Sequence, residues 1–267
     1  MGADTKKLRN RIKSVNSTLH LTKAMGLVAS SKLYRATANM NKSREYANAV
    51  RDIVGTLSLS SECQKSPFMQ KHEGERLKLI VIAGDRGLAG GYNANIFRLM
   101  KEYPDADICA IGRRACTRYS KEEVSVETFS SADAVELSRK LCEEFKNNEF
   151  DKLGIVSTKY KSMLTQTAQL EWILPIEKKE EAKPMSILFE PNEETVLNDA
   201  VPRYVAGILM SSVKESFACE VAARRTAMDS AGKNAQQMID DLQLTYNMAR
   251  QSAITQEITE IVAGSDV

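Results

Sequence analysis

Eight residues, Gly84-Asp85-Arg86-Gly87-Leu88-Ala89-Gly90-Gly91, separate an apolar, β-branched run from a helical one. Glycine-rich turns between a strand and a helix can cradle phosphates, because bare backbone N–H groups converge on an anion there. This stretch is neither G-x-G-x-x-G nor a loop ending in G-K-[ST], so no lysine is placed for a phosphate. An acidic ribose ligand would have to be Asp105 or Asp107, and Asp107 opens a strand rather than closing one. Glycines equally permit a tight turn against which another protein packs. Other chemistry is sparse. The two histidines, His20 and His72, lie on a helix and in a polar linker, so no triad or metal cluster is expected. Cys63, Cys109, Cys116, Cys142 and Cys219 form no CxxC pair, which argues against a zinc or redox motif.

The elements around the loop are unusual. Residues 5–58 read as one helix with a seam at Leu8, Ile12, Val15, Leu19, Thr22, Met25, Ala29, Leu33, Ala36 and Met40, close to a heptad repeat. Gly26 and Gly55 are its only interruptions. Residues 193–262 are again helical, with Pro202 as a kink or early-turn residue. Their expected seam is Ala231, Ala235, Met238, Leu242, Thr245, Ala249, Ser252 and Gln256. Small residues dominate it, which suits close helix approach in a coiled coil; two core helices of a bundle are the alternative.

Between the helices, strand-type runs fall at Leu77–Ala83, Asp107–Ile111, Leu153–Ser157, Leu170–Leu174 and Ser186–Phe189. Helical patterns at Ala94–Tyr103, Arg113–Ser120 and Ala132–Asn147 separate the first three, which implies parallel βαβ units. The last two runs are expected to pair antiparallel. The predicted class is α/β: a long antiparallel coiled coil of the terminal helices with an inserted Rossmann-like α/β domain. Its parts are 1–60, 61–192 and 193–267.

Charge is distributed unevenly. The chain is +2 overall, but residues 1–51 hold eleven basic and two acidic side chains, a net of +9. Such a helix could bind nucleic acid or an acidic protein collar. The far end holds Ile254, Ile258, Ile261 and Val262 among few charges, either as a terminus packed on its neighbour or as a tip inside an apolar sleeve. No run approaches the length of a membrane span, and the start has no apolar signal core. The expectation is a cytoplasmic chain that reaches a membrane only through a partner.

Three stretches carry a family resemblance. RIKSVNSTLHLTKAMGLVASSKLYRA (11–36), DRGLAGGYNANI (85–96) and AARRTAMDSAGKNAQQMIDDLQLTYNMARQSAITQEITEIVAG (222–264) resemble the opening helix, glycine loop and closing helix of the gamma subunit of F-type ATP synthases. The loop commonly has cysteine where Ala89 stands, and the first helix commonly has glutamate where Gly26 stands. The resemblance implies a central rotor without catalysis or cofactor. Its partners would be the alpha and beta subunits of the catalytic hexamer, the epsilon subunit and the ring of c subunits, with no nucleic acid and no direct membrane span. It further implies beta-subunit contacts at Arg250, Gln251, Thr255, Glu257, Arg86, Lys23 and Met25, and a peripheral position on the cytoplasmic face of a bacterial cell membrane.

Overall fold

The computed structural model describes residues 2–72, 74–178 and 189–265. In chain order the elements are α1 (Gly2–Leu57), β1 (Leu77–Ile82), α2 (Tyr92–Leu99), β2 (Asp107–Ile111), α3 (Arg113–Tyr119), α4 (Ser131–Lys146), β3 (Lys152–Tyr160), β4 (Gln166–Leu174) and α5 (Glu193–Ser265). Short 3₁₀ turns follow α1 and α2. α1 is helical through Gly26 and Gly55, and α5 through Pro202. Two compact units result: Met1–Ser30 with Arg224–Val267, and Ser31–Ala223.

In the first unit the two helix segments run antiparallel. A Cβ on Gly26 would lie 3.7 Å from that of Met228, and one on Gly232 would lie 3.6 Å from Thr22 Oγ1, so numbers fall on α5 as they rise on α1. Leu19, Ala235 and Ile239 form the buried seam, flanked by Ile12 and Val15. Every position expected for the α1 seam from Leu8 to Met40 is buried or half-buried. On α5 the expectation needs correction. Ala231, Ala235, Leu242 and Ala249 are buried or half-buried as expected, but Gly232, Ile239, Tyr246 and Ala253 also turn inward, whereas Met238, Thr245, Ser252 and Gln256 are exposed. A 3.5-residue repeat offers steps of 3,4 or 4,3 from the same anchors. The structure takes the step that buries Ile239 and leaves Met238 exposed.

Ala235 sets the helix approach here. Ala235→Leu is expected to overpack the seam at about 1–3 kcal/mol. Thermal melting of the purified chain should fall by several degrees; an unchanged melting curve would remove Ala235 from the helix–helix contact.

The second unit is built on a sheet of order β2-β1-β3-β4. β1 pairs parallel with β2 and β3, while β3 and β4 form an antiparallel hairpin. β4 therefore takes β3 as its antiparallel partner. The run expected at Ser186–Phe189 lies, apart from Phe189, outside the described residues. β1 alternates between two cores, as a strand covered on both faces must. Ile80 and Ile82 meet Leu57, Phe145 and the α5 residues Leu197, Val201 and Leu209. Leu79 and Val81 meet Tyr92, Ile96 and Cys116 from α2 and α3. α4 starts with a capping box, in which Asp133 N donates to Ser130 Oγ and Ser130 N donates to the Asp133 carboxylate.

Candidate functional site

The glycine loop follows β1, and its interior is occupied by the chain's own groups. Asp85 turns inward and accepts four hydrogen bonds: from Ser125 Oγ at 2.7 Å and from the backbone N–H of Arg113, Val126 and Glu127, each at 3.1 Å. Burial by itself would raise the Asp85 carboxyl. The bonds from Ser125, Arg113, Glu127 and Val126 outweigh it and hold the group below its usual range. Gly84 N donates to Asn93 Oδ1, and Arg86 N lies 3.4 Å from Glu220 Oε1 on α5. Glu220 is buried and stands so close that a Cβ on Gly84 would lie 2.7 Å from its carboxyl carbon. Ala89 and Tyr92 are buried, and Tyr92 OH donates to Ser216 O on α5.

A phosphate would therefore meet two carboxylates and a backbone already engaged. Isothermal titration of the chain with Mg-ATP is expected to show no binding heat at micromolar to submillimolar nucleotide. A micromolar isotherm would reinstate the loop as a nucleotide site.

What the loop presents outward is Arg86 and Leu88, both exposed. The remaining residues singled out in the sequence lie in the coiled-coil unit. Arg250, Gln251, Thr255 and Glu257 are exposed on α5, Lys23 is exposed on α1, and Met25 is half-buried. Thr255 Oγ1 donates to Gln251 O one turn back, which fixes its rotamer. Seven residues separate Arg250 from Glu257, and four separate Gln251 from Thr255, so each pair shares a helix face. Lys23 and Met25 are not part of this cluster. They sit level with residues near 230, roughly 30 Å from Arg250 along the helix at 1.5 Å per residue.

The basic helix also divides. Lys32 pairs with Glu127 at 2.6 Å, Arg44 with Glu215 at 2.9 Å and Arg51 with Glu171 at 2.6 Å. Those charges serve the α/β unit, whereas Lys6, Lys7, Arg9, Arg11, Lys13 and Lys23 are exposed. The inward roles of Asp85, Glu215 and Glu220 have no sequence signal, because their partners are distant in the chain. Among the described residues no group of three His, Cys, Asp or Glu is placed to hold a metal ion. Nor is any described helix long and apolar enough to cross a membrane. All five cysteines are free thiols, and burial pushes Cys63 up to about 11 and Cys142 up to about 12.

These features define a class: a protein of two long, pairing helices with an inserted α/β domain and a glycine loop closed by internal carboxylates. A family model described as ATP synthase matches residues 4–266. The chain is 41% identical over 282 residues to the ATP synthase gamma chain of Ruminococcus albus, covering 98% of each. It is 36% identical to the ATP synthase gamma chain, sodium ion specific, of Acetobacterium woodii, covering 100% of this chain and 99% of the relative. A chain in the Euglena gracilis mitochondrial ATP synthase, OSCP/F1/c-ring structure shares the fold at a TM-score of 0.70 and 18% identity, covering 98% of this chain and 94% of that one. The chain belongs to the ATP synthase gamma chain family.

Proposed function

We propose that the chain is the central-stalk rotor of an F-type ATP synthase, coupling ion passage through a membrane ring of c subunits to ATP synthesis or hydrolysis in an alpha/beta hexamer. It catalyses nothing itself. Residues 1–60 and 193–267 act as the shaft, and 61–192 as the domain toward the c ring and epsilon subunit. The complex sits on the cytoplasmic face of the cell membrane, with this chain as its peripheral component.

The observation that carries this reading is the exposed apolar end of α5. Ile254, Ile258, Ile261 and Val262 are all exposed, Ile261 by 72%. A helix that shows such residues to water is suited to an apolar sleeve. Hydrophobic burial has no preferred azimuth, so a sleeve can hold the tip while it turns. Arg250, Gln251, Thr255 and Glu257 then supply the directional contact with a beta subunit. Arg86, Lys23 and Met25 supply contacts at other levels.

Affinity purification of the tagged chain from its native membranes, followed by mass spectrometry, tests the assignment. Alpha, beta, epsilon and c subunits are expected with it. Recovery of the chain without alpha and beta would refute the rotor reading.

A further inference from the structure

Two kinds of contact fasten the α/β sheet to the long helices. The apolar one is large but non-directional, so it resists separation better than sliding or twisting. The polar contacts include an ionic ring whose two ends are joined through α1. Arg44 on α1 donates to Glu215 Oε1 on α5 at 2.9 Å. Glu215 Oε2 lies 3.4 Å from Lys159 Nζ on β3. Lys159 lies 3.4 Å from Glu171 Oε2 on β4, and Glu171 Oε1 accepts from Arg51 on α1 at 2.6 Å. Arg44 and Arg51 are seven residues apart, on one face of α1, so the ring begins and ends on the same helix.

Glu215 is the centre of this arrangement. Its side chain is 4% exposed, and Oε1 also accepts from Tyr160 N at the end of β3 at 2.9 Å. The next buried polar groups on α5 continue the row along β3: Ser216 Oγ accepts from Thr158 N, and Cys219 Sγ donates to Thr158 O. Buried ion pairs add little stability over well-packed apolar residues. Their geometry is directional, which apolar packing is not.

Building on the rotor reading, we propose that Glu215 is the torque-bearing joint of this chain: a positioning residue that locks the azimuth of the sheet to α1 and α5, so that twist applied to the α/β domain reaches both helices. Strain on the domain loads the bonds of the ring before the apolar core can slide. Without the ring the domain still docks, but on a softer torsional spring.

The test uses the assembled complex, immobilised through the hexamer, with a bead attached to the α/β domain through Lys101→Cys. During ATP-driven rotation, the angular variance of the bead at each catalytic pause measures the torsional stiffness. Glu215→Gln keeps an acceptor for Tyr160 N and removes both ion pairs. Charge-assisted bonds are roughly twice as strong as neutral ones, so its variance is expected to rise, by up to about twofold where the ring carries the azimuthal stiffness, while ATP turnover is unchanged. Lys159→Met, which cuts the ring between Glu215 and Glu171 at a partly exposed side chain, should do the same. A role in fold stability alone would lower the melting temperature and leave the variance at the parental value. Unchanged variance in a rotating complex of either variant overturns the joint. A parental complex whose bead does not rotate overturns the rotor reading, and the joint with it.

Discussion

Replacing Arg250 and Gln251 together by alanine is expected to lower ATP synthesis and ATP-driven ion pumping by about tenfold or more, with the complex still assembled. Both side chains are exposed on α5, beyond the buried Ala235–Ile239 seam. The guanidinium is a rigid fork of donors suited to two carboxylate oxygens at once, and the neighbouring amide adds a donor and an acceptor that do not titrate. Loss of one partner of a desolvated charge pair costs about 2–5 kcal/mol at an interface, and about 1.4 kcal/mol already makes a tenfold difference. Folding should be untouched, because neither side chain is part of the seam. Assembly should survive through the exposed basic residues of α1 and through the α/β unit. Parental rates of synthesis in membrane vesicles, from a double variant present at parental levels, would remove the two residues from the mechanism.

Gly112→Ala is expected to be the most damaging single methyl group in the α/β unit. Gly112 joins β2 to α3 at φ 96, a conformation open to glycine and strained for any L side chain. An added Cβ would lie 1.9 Å from the Ala83 carbonyl oxygen, which is backbone and cannot rotate aside. Ala83 is tied in turn, its N–H donating to Ile111 O, while Gly112 N donates to Val124 O. Relief would require parting β1 from the β2–α3 turn, beside the bonds that fill the Asp85 carboxylate. A loss above about 4 kcal/mol places the variant among the exceptional cases. At roughly 2–4 °C per kcal/mol for a chain of this size, melting should fall by about 10 °C, or the chain should fail to accumulate. Gly91→Ala is the matched control, since Gly91 has φ −82 and an added Cβ there meets nothing closer than 3.8 Å. Melting of Gly112→Ala at the temperature of Gly91→Ala would disprove the clash.

The two predictions differ in how far the sequence alone supports them. Arg250 and Gln251 stand out through the family resemblance of the closing helix, and the fold only has to leave them exposed. Nothing in the local sequence marks Gly112 off from the glycines of the neighbouring loop. Its importance lies in Ala83, just past the end of β1, and in a backbone angle that the β2–α3 turn imposes.

The sequence by itself determined the two long helices, the α1 seam at every position from Leu8 to Met40, the strand–helix alternation from β1 to β3, and the family. These are properties of local periodicity and of motifs contiguous in the chain, and they need no partner to be read. Only the tertiary structure decided which alternate positions of α5 turn inward, because both heptad steps fit the same anchors and burial of Ile239 selects between them. It also made β3 the partner of β4. Most of all it decided what fills the glycine loop. Arg86 meets Glu220 across 134 residues of chain, and Asp85 is satisfied from around Arg113 and Ser125. A glycine loop specifies the space it leaves open, whereas its occupant is set by whichever side chain the packed helices deliver there.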